Sequence, residues 1–413
     1  MSCPEIPGPG KRGHGDHRGF PVLGGSNRGI SFGRGNIPKE DGEVVKPILM
    51  LSNGPGELWG WVRPLSRELS SRGASITLAL LPCQFASGEE LNVAENLGTV
   101  DEIIAPSTLA GTVRAMNGAG KKCGIVFQLG GDLLWGRMAS RAGRVPLLCY
   151  TYGRKSGTGR CDRVYTAFDA MAGNIGPVQV TGDLVLDSLE MDGSLPRNGT
   201  EEKQARTIAF FPGSRPAIRK FTLPFLREMG AVLRRKYPSC ELRAVVSPFA
   251  PSSEDQAWRD AGFIPACRES ALKGVDFAVT QPGTNTLELM HLGIPFLVLV
   301  PFSSLRNVPV SGIAGLIAGM PLAGPMFREW ALKRKGARAG FLAWPNRIAG
   351  RAVVEEMVGD FSPVEAAERV SFWIDDFGRR ESVRSSLAEL SASAPRGAAK
   401  RIADEMEKEI LRV

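Results

Sequence analysis

The sequence predicts an α/β protein made of two consecutive doubly wound halves. From Val45 onward, apolar runs of strand length alternate with helix-spaced stretches, the mark of βαβ units and a parallel sheet. A polar, turn-rich stretch at 187–206 interrupts that alternation, and the same pattern then restarts. Several of the apolar runs end in glycine-rich turns that lead into helices, the place where open α/β sheets collect ligands. Two such halves place a crevice between them. The expected organisation is a tail at 1–45, a first domain at 46–190, a linker at 191–206, a second domain at 207–375 and C-terminal helices at 376–413.

Each element follows from local pattern. "KPILMLSN" reads as a strand, "PGELWGWVRPLSRELSSRG" as a helix closed by Gly73, and "ASITLALLP" as the next strand. "TVDEIIAP", "KKCGIVFQLGG", "VPLLCYTYG", "RVYTAF" and "GPVQVTGD" continue the first series. In the second, "TIAFFPGSR", "CELRAVVSPF", "GVDFAVTQPG" and "IPFLVLVPF" read as strands. "KFTLPFLREMGAVLRRKYP" and "TNTLELMHLG" have helical spacing, the latter stopped by Gly293. From about Pro363 the chain is helical and charged.

Composition narrows the function. The chain has 413 residues, 43% hydrophobic and 23% charged, ordinary for a folded soluble protein. Its net charge of +8 favours an acidic partner, whether nucleotide phosphate, anionic lipid or nucleic acid. Seven cysteines lie scattered without a CxxC pair, so reduced thiols and no metal centre are expected. Three histidines, two of them in the tail (His14 and His17), argue against a His-based metal site or a Ser-His-Asp hydrolase. The first 45 residues hold 11 glycines and no continuous apolar run, which predicts a disordered tail rather than a signal peptide. Nucleic-acid binding rests on that tail and the charge alone, and none is expected.

Four turns carry candidate chemistry. Gly213, Ser214 and Arg215 follow a strand, where a glycine lets backbone approach a phosphate and the guanidinium adds a bidentate charge; a capped turn with surface basics reads the same way. Gly283, Thr284 and Asn285 stand between a strand and a helix start that favours an anion, with Glu288 one turn on, placed to accept from two ribose hydroxyls. The alternative is that Thr284 caps the helix and Glu288 sits in its solvated first turn. Asp132 follows a Gly-Gly turn, as a general base for an acceptor hydroxyl or as the cap of the next helix. Asn53, Gly54, Gly56 and Glu57 form the first loop, a candidate substrate contact. Trp59 and Trp61 are two apart and cannot share one helix face. One is expected on the sheet and the other toward the crevice or a membrane.

Residues 307–327 contain no charged side chain, and 328–351 carry seven Lys/Arg against Glu329. Prolines and glycines argue against a spanning helix there. Docking on anionic lipid and a buried loop beside a basic surface both remain open.

These residues carry a resemblance over most of 46–390. The chain resembles the lipid-A-disaccharide synthase family within the GT-B glycosyltransferase superfamily. "FFPGSR" is similar to that family's LPGSR turn, "PGTNTLELMHLGIPFLVLV" to its SGTATLE-type loop and helix, and "AWPNRIAGRAVVEEMV" to its LPN…AGR segment. "QLGGDLLW" stands where the family has its catalytic aspartate, and "VQVTGDLVLDSL" resembles an inter-domain strand shared with sugar epimerases. The resemblance implies a GT-B fold of two Rossmann-like domains facing across a crevice, a UDP-sugar between them, and no metal or other cofactor. By position, Arg215, Thr284, Asn346 and Glu288 would hold the nucleotide, and Asp132 would be the base or orient it. It further implies inverting transfer from UDP-2,3-diacylglucosamine to 2,3-diacylglucosamine 1-phosphate. The enzyme would be peripheral on the cytoplasmic face of an anionic inner membrane, with room for an oligomer. Two departures, Asn53 for a family glutamate and Pro55 for a serine, together with "YTYGRKSGTGR" for an aromatic segment, point to a divergent branch with another acceptor. The rival expectations are an epimerase-like enzyme on UDP-sugars and a non-catalytic nucleotide- or lipid-binding GT-B protein.

Overall fold

The computed structural model describes residues 46–410 apart from 83–87, 89, 154, 174, 195–204, 214–215, 247–251 and 302–339. The expected tail, Ser214, Arg215 and the uncharged stretch 307–327 lie outside the described residues.

Two parallel sheets carry the fold. The first holds β1 (Ile48–Ser52), β2 (Ile76–Leu80), β3 (Glu102–Ile104), β4 (Ile125–Gln128), β5 (Leu147–Tyr150), β6 (Arg163–Thr166) and β7 (Gln179–Val180), in the order β3-β2-β1-β4-β5-β6-β7. The second holds β8 (Thr207–Phe210), β9 (Glu241–Val245), β10 (Ile264–Ala266), β11 (Phe277–Thr280), β12 (Phe296–Pro301) and β13 (Glu355–Gly359), in the order β10-β9-β8-β11-β12-β13. In each sheet the chain works outward from one central strand and then reverses. The reversals fall between β1 and β4 and between β8 and β11, and the carboxyl ends of those strands are where ligands bind such sheets.

The strands are continuous apolar runs because helices cover both faces. β1, β2, β4 and β5 are buried at every position. Edge strands differ. β10 contains Pro265 and β13 begins Glu355-Glu356, residues that a central strand would reject but an edge tolerates.

The first helix is the expected one with a twist. It starts at Pro55–Glu57, widens into a π-turn at Leu58–Val62 and continues as Arg63–Ser71. A π-turn inserts one residue per turn and often marks a functional position. The helix Leu184–Met191 reaches into the stretch expected to be linker. C-terminal helices Pro363–Asp375, Phe377–Ala392 and Ala398–Ile410 return across both halves. The last packs on Arg63–Ser71 of the first domain, where Arg72 bonds Glu407.

Among the described residues, Cys123, Cys149, Cys161 and Cys240 carry free thiols. Cys267 departs from the expectation of reduced thiols: it is disulfide-bonded. No described helix is long and apolar enough to cross a membrane.

Candidate functional site

The first wall of the crevice is built by the turns after β1 and β4, which press together. A Cβ placed on Gly130 would stand 3.0 Å from both Asn53 Oδ1 and Glu57 Oε2, so only glycine lets these turns meet without displacing those side chains. Gly131 has a φ of +70°, which glycine adopts without strain. Gln128, buried in β4, donates through Nε2 to the Gly130 carbonyl and fixes the turn from below. Asp132 then caps the helix Leu133–Gly143, its Oδ1 accepting from Leu134 N at 2.9 Å. Capping does not bury it. Asp132 is exposed, and among the described residues Oδ2 has no hydrogen-bond partner. One oxygen orients the carboxylate while the other stays open, so the structure shows the capping reading of Asp132 and leaves the geometry that the base reading requires.

The second wall is the turn after β11. Thr284 occupies the N-cap of Asn285–His291, yet its side chain makes no capping bond. A Cβ on Gly56 would lie 3.4 Å from Thr284 Oγ1, so the first loop and this turn are in van der Waals reach. The two walls therefore meet at Gly56 and Thr284. Asn285 turns inward, donating to Thr280 Oγ1 and to the Gln281 carbonyl. Thr286 Oγ1 donates to the Gly283 carbonyl at 2.8 Å. Gly213, in the turn after β8, has a φ of +114°, and Ile218 fills the place of a Cβ. Thr222 and Gln281 both donate to the Pro212 carbonyl, joining the β8 and β11 turns.

Two expected nucleotide ligands are otherwise employed. Asn346 is buried: Oδ1 accepts from Val353 N at 2.7 Å and Val354 N at 2.8 Å, while Nδ2 donates to the Val354 carbonyl and to Glu356 Oε1. All the hydrogen-bonding capacity of its amide holds the turn that follows Trp344–Ala349, which leaves nothing for a ligand. Glu288 is buried rather than solvated, and its Oε1 pairs with Arg268 Nε at 2.5 Å. Burial raises its pKa while Arg268 opposes the rise. Its Oε1 faces the guanidinium.

The tryptophans divide as expected in part. Trp61 is buried against Tyr150 and Tyr152, donating to Tyr152 Oη at 2.9 Å. Trp59 lies under the Arg63 guanidinium at 4.0 Å and lines a pocket of about 350 Å³ with Arg63, Arg67, Leu97 and Met191. Sequence reasoning passed over Gln128, Gln281, Tyr152 and Asp183, and reached Glu356 only as the closing glutamate of the "AWPNRIAGRAVVEEMV" resemblance. Glu356 receives Leu342 N, Ala343 N and Asn346 Nδ2 and so shapes the loop entering Trp344–Ala349. Its only sequence signal was its place in "RAVVEEMV" beside Asn346. Among the described residues, no three His, Cys, Asp or Glu side chains gather as a metal site.

No family model matches the chain. It is similar to lipid-A-disaccharide synthases: 28% identical over 211 residues to that of Anaeromyxobacter sp. (strain K), covering 48% of each chain. The synthase of Geobacter metallireducens is 24% identical over 230 residues, 51% of this chain and 52% of that protein. The chain thus spans about half the length of the curated relatives it matches. Among solved structures, UDP-GlcNAc 2-epimerase from Neisseria meningitidis bound to UDP-GlcNAc superposes with a TM-score of 0.56 at 13% identity, over 88% of this chain and 100% of that one. Acinetobacter baumannii MurG gives 0.52 at 13% identity, over 88% and 99%. At such identity the likeness is one of fold: two Rossmann-like domains in the GT-B arrangement.

Proposed function

We propose that this protein is an inverting glycosyltransferase that uses a UDP-sugar and hands the sugar to a lipid-linked acceptor, as a lipid-A-disaccharide synthase or a divergent relative with another acceptor. The observation that carries the reading is the placement of Asp132. It is an exposed carboxylate at the β1/β4 switch point, oriented through one oxygen, beside the place where the first loop touches the Gly283–Asn285 turn. Half-length similarity to lipid-A-disaccharide synthases supports the choice of substrate class.

Asp132 takes the proton of the acceptor hydroxyl, whose oxygen attacks the anomeric carbon from the face opposite the departing UDP. Gly213 and the Gly283–Thr284 turn let backbone amides approach the diphosphate, and Arg215 supplies charge as UDP leaves. Asn53 and Glu57, pressed on the Gly130 turn, border the sugar position. Asn285 shapes the β11 turn rather than touching the nucleotide. The basic chain around 328–351 would bring the protein to anionic lipid on the cytoplasmic face of the membrane.

The test is UDP release from UDP-2,3-diacylglucosamine with and without 2,3-diacylglucosamine 1-phosphate. Release that depends on the acceptor and yields a disaccharide is the expected result. Release without acceptor would favour an epimerase-like or hydrolytic enzyme, and UDP binding with no release from any donor would favour a non-catalytic binding protein.

A further inference from the structure

A buried polar line crosses the join between the two domains. Trp61 Nε1 donates to Tyr152 Oη at 2.9 Å, and Tyr152 Oη donates to Asp183 Oδ1 at 2.5 Å. Asp183 Oδ2 lies 2.8 Å from His291 Nε2, and His291 Nδ1 lies 2.8 Å from Ser391 Oγ. Asp183 Oδ1 also accepts from Val185 N at 3.0 Å. Asp183 and His291 are 0% and 1% exposed. A carboxylate removed so completely from water needs several donors, and this one has three. The Ser391–His291–Asp183 order resembles a hydrolytic triad, but its histidine and aspartate are sealed in the interior and open to no substrate.

The participants come from the elements that build the crevice. Trp61 sits in the π-turn of the helix that begins with the Gly54–Glu57 loop. Tyr152 follows β5, and Asp183 caps Leu184–Met191 in the first half. His291 ends the helix Asn285–His291, about 10 Å behind the Gly283–Asn285 turn at the rise of an α-helix. Ser391 lies in Phe377–Ala392 of the C-terminal segment. Aromatic contacts follow the same path: Tyr152 meets Trp344 edge-on at 5.3 Å, and Phe168 stacks with His291 at 6.2 Å. Just before Asp183, Gly182 has a φ of +105°, and the Pro395 carbonyl comes within 2.0 Å of where a Cβ would sit. The two crevice walls that touch in front, at Gly56 and Thr284, are thus tied again from behind.

We propose that the Tyr152–Asp183–His291 line is a positioning device that holds the acceptor wall in register with the nucleotide wall. It rests on the glycosyl-transfer reading, and within that reading it governs turnover while leaving nucleotide affinity alone. None of its members touches substrate. Their effect is exerted through the Gly54–Glu57 loop at one end and the Gly283–Asn285 turn at the other.

The test compares Tyr152→Phe, His291→Gln, His291→Ala and the Tyr152→Phe/His291→Gln double variant. Tyr152→Phe keeps the ring contacts with Trp61 and Trp344 and removes only the hydroxyl. Each single variant lowers kcat about tenfold or more, because a small misplacement of reacting groups is costly. UDP affinity by calorimetry stays within about twofold, and the double variant is little worse than the poorer single, as expected of residues acting on one line. His291→Gln retains more turnover than His291→Ala. Unchanged kcat, or kcat and UDP affinity falling together, overturns the proposal. Hydrogen exchange supplies a readout that needs no transfer. Tyr152→Phe lowers amide protection in both 54–62 and 283–291, and a loss confined to one stretch, or to neither, overturns the proposal even if the wild type transfers no sugar.

Discussion

The two walls of the crevice use their polar side chains in opposite ways. On the first, Asp132 caps a helix with one oxygen and remains exposed, and Asn53 and Glu57 lie against the glycine turn beside it. On the second, Asn285 braces its own turn, Glu288 is closed by Arg268, and Asn346 is consumed by Val353, Val354 and Glu356. In the reading proposed above, Asp132 supplies the side-chain chemistry of the first wall, and the second wall holds its ligand through backbone. That division suits a transfer reaction in which the acceptor must be deprotonated while a diphosphate need only be held.

The sharpest break in this contrast is Asn346→Ala. If the amide is structural, its loss leaves the Val353 and Val354 amides buried without acceptors and costs about 2–4 kcal/mol in urea unfolding. Weakened UDP binding at unchanged stability would return Asn346 to the ligand side. Glu288→Gln comes next. Removing the charge opposite Arg268 costs about 1–2 kcal/mol of stability, and calorimetry should find UDP affinity within about threefold. A tenfold or greater loss at full stability would mean that the carboxylate reaches the ribose.

A smaller effect sharpens the picture at the domain join. Asp187 accepts from Ala399 N at 2.6 Å, tying Leu184–Met191 to the last helix, and burial lifts its pKa from 3.8 to about 6. With the folded pKa above the unfolded one, the native state holds the extra proton between pH 4 and 6. Stability then falls as pH rises through that window, and the loss persists above it. Asp187→Asn keeps an acceptor for Ala399 and removes the titration. Its Tm should therefore lose the pH 4–6 slope and exceed that of the wild type by about 2–4 °C at pH 7. An unchanged slope would place the titration elsewhere.

The legibility of the sequence followed the same divide. Central strands such as "PILMLS" and "GIVFQL" were readable because burial on both faces demands unbroken apolar runs. β10 and β13 were not, since an edge accepts Pro265 and paired glutamates. The position of Asp132 in the turn after β4 was legible from strand, Gly-Gly and acid in succession. The employment of Glu288 and Asn346 was not, because a polar residue in a βα turn has the same local pattern whether it holds a ligand or the turn itself. The pairing of Asp183 with His291 escaped notice for a different reason. They are 108 residues apart in the chain, and only the packing of the two domains gives each its partner.

The most direct test of the account is turnover of Asp132→Asn measured beside its UDP affinity. If Asp132 is the open carboxylate that accepts the acceptor's proton, turnover falls about 10²-fold or more while UDP still binds as in the wild type. Near-wild-type turnover would contradict the account and leave Asp132 as a helix cap alone.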